Sequence, residues 1–342
     1  MSAPEYPWAK LPTQKLLDWR ICDLKLDIAH TPIPKRVQRV VGELERRGIQ
    51  FNPPVWLAEE WFSPDGNPGV AVPFFLAHPR LMALEEEHMF DVEGGTERWC
   101  MQLLRHEMGH ALDTAYRLHR RKRWREVFGS FAEPYPEVYR PTPYSKRYVL
   151  HLDWSYAQSH PADDYAETFS VWLRPGSSWR KEYEGWPALK KLLYIDETMR
   201  EIAGTPAPVK PRRPVDPSSR DTRTLRAFYA EKLERYGSDG RPEVFDRDLR
   251  RLFSDAPPPG PGRSAAKFLA AFQNELRLVV AHGTGEHPYI IDHVLRAMIV
   301  RCRELRLFVT RPENQLKMET AVLLSVRTIN YLHGTGRLWV RL

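Results

Sequence analysis

Three side chains in the stretch Arg105-His106-Glu107-Met108-Gly109-His110-Ala111-Leu112-Asp113 carry the strongest chemical signal in the chain. A helix turns by about 100° per residue, so His106 and His110 fall about 40° apart, one turn above the other on one face. Two imidazoles so placed can reach one metal ion. Glu107 lies beside them, able to touch a water at that metal but badly placed to be a ligand. This H-E-x-x-H spacing puts two ligands and a general base on one rigid element, the requirement of metal-assisted hydrolysis. With 12 histidines in 342 residues the spacing can also arise by chance, so the case turns on a third ligand.

A catalytic metal of this kind needs three protein ligands and an open position for water. A third histidine in the compact H-E-x-x-H-x-x-G-x-x-H pattern would need glycine at 113 and histidine at 116. The chain has Asp113 and Tyr116 there. A carboxylate from a later helix is the other common solution. Asp163 and Glu167 lie one turn apart on an expected helix over 161–173, so both can face one point. One can bind the metal while the other hydrogen-bonds a ligand imidazole and sets its tautomer. Taken alone, Asp163, Asp164 and Glu167 would equally suit an acidic helix start favoured by the dipole.

His-Glu-Met-Gly-His-Ala-Leu-Asp at 106–113, followed by Asp163-Asp164-Tyr165-Ala166-Glu167, resembles the gluzincin branch of the zincins, in particular the catalytic domain of anthrax lethal factor. Residues from about 20 to 203, with Ser155-Tyr156-Ala157-Gln158-Ser159-His160-Pro161, resemble a bacterial family of zinc-binding metallopeptidases. The resemblance implies one Zn2+ per chain held by His106, His110 and Asp163, with Glu167 supporting a histidine ligand. The family's usual ligand is Glu. Asp163 is one methylene shorter, so either its helix sits closer to the metal or Glu167 takes the ligand role. The resemblance also gives Tyr156, seven residues before Asp163, the task of stabilising the oxyanion, against a plain reading as a core aromatic beside Trp154. The implied activity is that of a hydrolase, a protease cleaving a peptide or isopeptide bond, with Glu107 taking the proton from the attacking water. The alternative is a zincin-fold module that binds a peptide or protein and keeps a structural or vestigial zinc; an intact Glu107 and Tyr156 argue against it.

These residues need positioning elements. Alternating apolar and charged residues over 21–28 predict a half-buried strand, and Val37, Val40, Val41 and Leu44 predict a helix over 34–47 stopped at Gly48. Strands are expected at 55–58 and 70–77. The second contains Pro73, which cannot donate to a sheet ladder and so belongs at an edge; by resemblance that edge would pair with an extended substrate. The motif helix is expected to start near Thr96. The expected fold class is α+β: a zincin-like metallopeptidase domain over 1–203 with a small twisted sheet and the active-site helix. A Pro-rich linker follows at 204–223, then an all-α accessory domain over 224–342, with helices at about 222–236, 243–253, 264–282, 288–309 and 313–333. His-Gly-Thr-Gly occurs after two of them, at 282–285 and 333–336, where glycine suits a helix C-cap.

Composition fits this outline. A hydrophobic content of 42% with 28% charged residues is that of a soluble globular chain. There is no apolar run near 18 residues and no basic-then-apolar leader, so no membrane association is expected. Cys22, Cys100 and Cys302 are few and far apart, which suits reduced thiols in the cytoplasm. The net charge of +7 comes from the C-terminal part: residues 1–200 hold 27 Lys/Arg against 28 Asp/Glu, and residues 201–342 hold 24 against 16. That surplus is spread over many residues without a nucleic-acid-binding motif, which argues against nucleic acid as the partner. The run His119–Arg125 is first a solvated helix face; at the rim of a cleft it would favour an acidic protein or peptide substrate.

Overall fold

A computed structural model describes residues 5–89, 92–136, 138–139, 141–142, 145–236, 245–258, 262–333 and 340–341. The described residues are mostly helical, with a small two-stranded parallel sheet, compatible with an α+β class. Contacts divide the chain into one unit of residues 1–87, 92–228 and 340–342, and a second of 88–91 and 229–339. The division falls inside the helix Leu225–Tyr236. It lies beyond the proline-rich stretch, because that stretch is tied to the first unit: the Trp56 indole N–H donates to Val215 O at 2.9 Å, and Asn67 bonds the backbone at Arg212 and Arg213.

In the first unit β1 (Val55–Ala58) and β2 (Val70–Pro73) pair in parallel, with Ala58 opposite Pro73. Pro73 closes its strand, where a missing N–H costs least. The strand expected over 70–77 ends there, and Phe74–Ala77 wind into a 3-10 turn that buries Phe74, Phe75 and Leu76. On its other side β2 is met by Phe62, whose carbonyl accepts the Ala71 N–H at 2.8 Å. The strand expected over 21–28 does not form. Ile21–Leu24 and Ile28–His30 are 3-10 turns, with Lys25 left-handed between them (φ 50°). Three-residue spacing, not alternation, buries Ile21 and Leu24, and the backbone at 21–22 bonds to 221–223 instead of to a neighbouring strand.

The helix Ile33–Glu45 buries Val37, Val40, Val41 and Leu44 on one stripe, and Gly48 follows with φ 77°. The motif helix, Glu97–Tyr116, is capped by Thr96 Oγ1, which accepts the Trp99 N–H at 3.2 Å, and ends at a left-handed Arg117. The helix Pro161–Leu173, here called the carboxylate helix, packs along it. Its cap is His160, whose Nδ1 accepts the Ala162 N–H, and Pro161 fills the first turn, where no N–H is needed. The third helix of this group is Ala188–Ile202. A short antiparallel pair, β3 (Val138–Tyr139) with β4 (Val340–Arg341), completes the unit.

The second unit is helical among its described residues, around a core including Phe268, Leu269, Leu295, Met298 and Leu324. The helix expected over 264–282 is two, Ala265–Ala271 and Gln273–Thr284, broken at Phe272, whose ring lies against Phe268 and under the Lys317 ammonium. Helix Pro288–Glu304 stops short of 309, because Arg306 turns left-handed (φ 55°) and Phe308 pairs with Ser254. Gly285 caps the helix before it with φ 73°; glycines 334 and 336 lie outside the described residues. Among the described residues no helix is long and apolar enough to cross a membrane.

Candidate metal centre

The motif helix and the carboxylate helix bring His106, His110 and Asp163 into one group that could hold a metal ion. His106 Nε2 lies 3.0 Å from His110 Nε2, and Asp163 Oδ1 lies 3.2 Å from His110 Nε2 and 3.5 Å from His106 Nε2. Two donors each about 2.0–2.1 Å from a tetrahedral zinc stand about 3.3 Å apart. The triangle of two nitrogens and an oxygen has that size, and its donor types are those zinc takes.

The remaining atoms of these side chains are accounted for. Glu167 Oε1 accepts from His106 Nδ1 at 2.9 Å, which leaves Nε2 as the lone-pair atom facing the triangle. Glu167 Oε2 accepts the Leu152 N–H at 2.9 Å. Asp163 Oδ2 accepts the Ser159 hydroxyl at 2.6 Å, so Oδ1 is the oxygen turned towards the histidines. The two carboxylates therefore divide the work: Asp163 faces both Nε2 atoms, and Glu167 stands behind His106.

Buried carboxylates give the site an appetite for positive charge. Burial opposes an ionised His106 ring, but hydrogen bonds to Asp163 and Glu167 outweigh it and lift its pKa to about 10. Burial likewise disfavours the Asp163 carboxylate, and the two histidines more than offset this, holding it below the usual range. Glu107, 6% exposed, goes the other way: burial raises its pKa against the pull of His106 and His110. Its Oε2 is buried without a hydrogen-bond partner among the described residues.

Tyr156 stands edge-on to His106, ring centres 5.4 Å apart, with Tyr139 6.4 Å beyond it. Burial raises its phenol well above the ordinary value, reinforced by Asp163 and Glu107, so it stays a hydrogen-bond donor. The residue before it, Ser155, has φ 55°, an uncommon backbone for a residue with a side chain and a sign of imposed geometry.

Asp163 is short, and Gly109 explains how it reaches. A Cβ at 109 would lie 3.1 Å from Ala166 Cα and 3.0 Å from Phe169 Cδ1, so the two helices approach more closely there than most side chains accept without a shift. Sequence reasoning passed over this glycine and over Ser159, though both carried a signal. Gly109 sits inside the motif on a buried face, and Ser159 precedes Asp163 by one helical turn. It also missed Gln102 and His151, whose side chains each donate to the other's carbonyl, at 2.9 and 3.1 Å, and fasten the segment that presents Leu152 to Glu167. Asp113 serves a separate contact, accepting from His119 at 2.6 Å. In the basic run Arg121 pairs with Glu201 and Arg123 with Glu197. Comparison with protein-family models, curated proteins and solved structures returned no match.

Proposed function

We propose that the chain is a zinc-dependent metallopeptidase with a zincin-like catalytic domain, cleaving a peptide or isopeptide bond through an activated water. The observation that carries the reading is the convergence of His106 Nε2, His110 Nε2 and Asp163 Oδ1 at zinc-ligand spacings beside the unpartnered Oε2 of Glu107. A zinc ion held by these three donors supplies Lewis acidity that makes water a competent nucleophile near neutral pH and polarises the scissile carbonyl.

The protein's own groups do the rest. Glu107 takes the proton of the attacking water and returns it to the leaving amine; its burial-raised pKa makes it a better base than an exposed carboxylate. The Tyr156 hydroxyl, protonated at all working pH values, donates to the oxyanion of the tetrahedral intermediate. Glu167 keeps the Nδ1 proton on His106, and Ser159 turns Asp163 so that one oxygen alone faces the histidines. Cys22, Cys100 and Cys302 are unpaired, consistent with a reducing cytoplasmic setting.

The test pairs metal analysis with digestion of a broad peptide library. The wild-type chain should carry one zinc and cleave. Glu107→Gln should carry the same zinc with cleavage reduced by about 10²–10⁴-fold, the usual contribution of a general base. A wild-type chain without zinc refutes the metal assignment, and a Glu107→Gln chain that cleaves like wild type refutes the assignment of the base.

A further inference from the structure

A cavity of about 480 Å³ opens on the flank of the motif helix, in the size range of small-molecule sites. Its wall includes four arginines from three helices or their ends: Arg39, Arg98, Arg105 and Arg174. Among the described residues the one acidic side chain in the lining is Glu97, which pairs with Arg39. Exposed ion pairs of that kind hold little energy and yield readily to a better partner.

The other three guanidinium groups differ in how far they are committed. Arg105 is held rigid and 8% exposed by a two-pronged bond to Glu43, with both contacts at 2.8 Å. Arg174 uses Nη2 on Glu182 and Ser177, at 2.9 and 3.3 Å. Arg98 has no hydrogen-bond or ion-pair partner among the described residues. Around the cavity four guanidinium groups converge on one concavity; three keep a carboxylate partner, and Arg98 is the one without.

We propose that this cavity is a binding site for a multiply charged oxyanion, the phosphate or paired carboxylates of a small ligand. Arginine forks match such groups two bonds at a time, which lysines or isolated surface cations do not. Arg98 and Arg174 supply the free donors, Arg39 is released from Glu97, and Arg105 forms the fixed floor. None of His106, His110 and Asp163 lines this cavity, and its test does not depend on zinc.

The experiment follows the melting midpoint of the full chain in inorganic phosphate and, in a second arm, glutarate, each matched in ionic strength by sodium chloride. A ligand bound by the native state raises the midpoint saturably. Phosphate or glutarate should do so beyond the chloride control, and the better ligand identifies the anion as phosphate or dicarboxylate. Arg98→Ala and Arg174→Ala, both solvent-facing changes, should each weaken the response about tenfold, the equivalent of ~1.4 kcal/mol. Arg226→Ala, away from the cavity, should leave it unchanged. Shifts no larger than those of chloride in both arms, or arginine variants that respond as wild type does, overturn the proposal.

Discussion

Replacing Gly109 by alanine tests the link between helix packing and metal binding. An added methyl carbon would sit 3.1 Å from Ala166 Cα and 3.0 Å from Phe169 Cδ1, where carbon atoms in ordinary contact keep about 3.5–4.0 Å. The Phe169 ring can turn, but Ala166 Cα is backbone, so the carboxylate helix must retreat by a few tenths of an ångström. Overpacking of this kind costs about 1–3 kcal/mol, while exchanging glycine for alanine within a helix returns about 0.5–1 kcal/mol. The metal-free chain should therefore lose about 1 kcal/mol in urea denaturation, the difference of those two effects. Asp163 withdraws with its helix, so zinc affinity, measured by competition with a chromophoric chelator, should fall about tenfold, or ~1.4 kcal/mol. Adding Asp163→Glu restores reach and should recover most of that affinity in the Gly109→Ala background, although the same change in the wild-type background should not improve it. A Gly109→Ala chain that is more stable than wild type and binds zinc equally well would refute the account, since that is how an unhindered helical glycine behaves.

Further outcomes follow from other contacts. Glu167→Ala removes the acceptor of the His106 Nδ1 proton and should cost about 10–100-fold in zinc affinity by the same chelator competition. Glu43→Gln leaves the buried Arg105 guanidinium short of its counter-charge and should destabilise the chain by about 3–5 kcal/mol in urea. In the second unit, burial drives two adjacent groups in opposite senses, lowering His287 to about 4 and raising Glu286 to about 7. His287 contributes stability above its unfolded pKa near 6.5 and loses it as pH falls towards 4, so His287→Asn should gain on wild type over that descent. Glu286 contributes fully below 4.5 and loses the contribution as pH rises through 7, so Glu286→Gln should lose ground against wild type as pH falls from 7 to 4.5. Urea midpoints of the three proteins between pH 4 and 8 check both signs.

The candidate site was more legible in the sequence than the fold around it. His106, Glu107 and His110 need only the period of a helix to be placed together, and Asp163 and Glu167 need only that period again on a second helix. Which carboxylate faces the metal could not be read that way, because it depends on the separation of two helix axes. That separation is set by Gly109 against Ala166, a contact between residues 57 positions apart. Alternation over 21–28 suggested a strand where local turns formed: Ile21 and Leu24, three apart, share one side of a 3-10 turn, whereas a pleat would turn them to opposite faces. The 70–77 run divided at Pro73 for a similar reason: a continuous apolar stretch is compatible with any fully buried conformation, so its period carries no information. The long C-terminal helices were visible from their spacing, but the break at Phe272 was not, because the Lys317 ammonium over its ring comes from a helix 45 residues further on.

Glu167 spends one oxygen on a ring of the motif helix and the other on the backbone of Leu152. A cation-binding corner therefore cannot exist on the motif helix alone, whatever its helicity. During synthesis the two histidines emerge some sixty residues before the carboxylate that orients one of them, and a nascent or clipped chain ending before 150 would display the motif while holding metal poorly. The arrangement leaves the candidate metal corner unbuilt until three distant stretches have found one another.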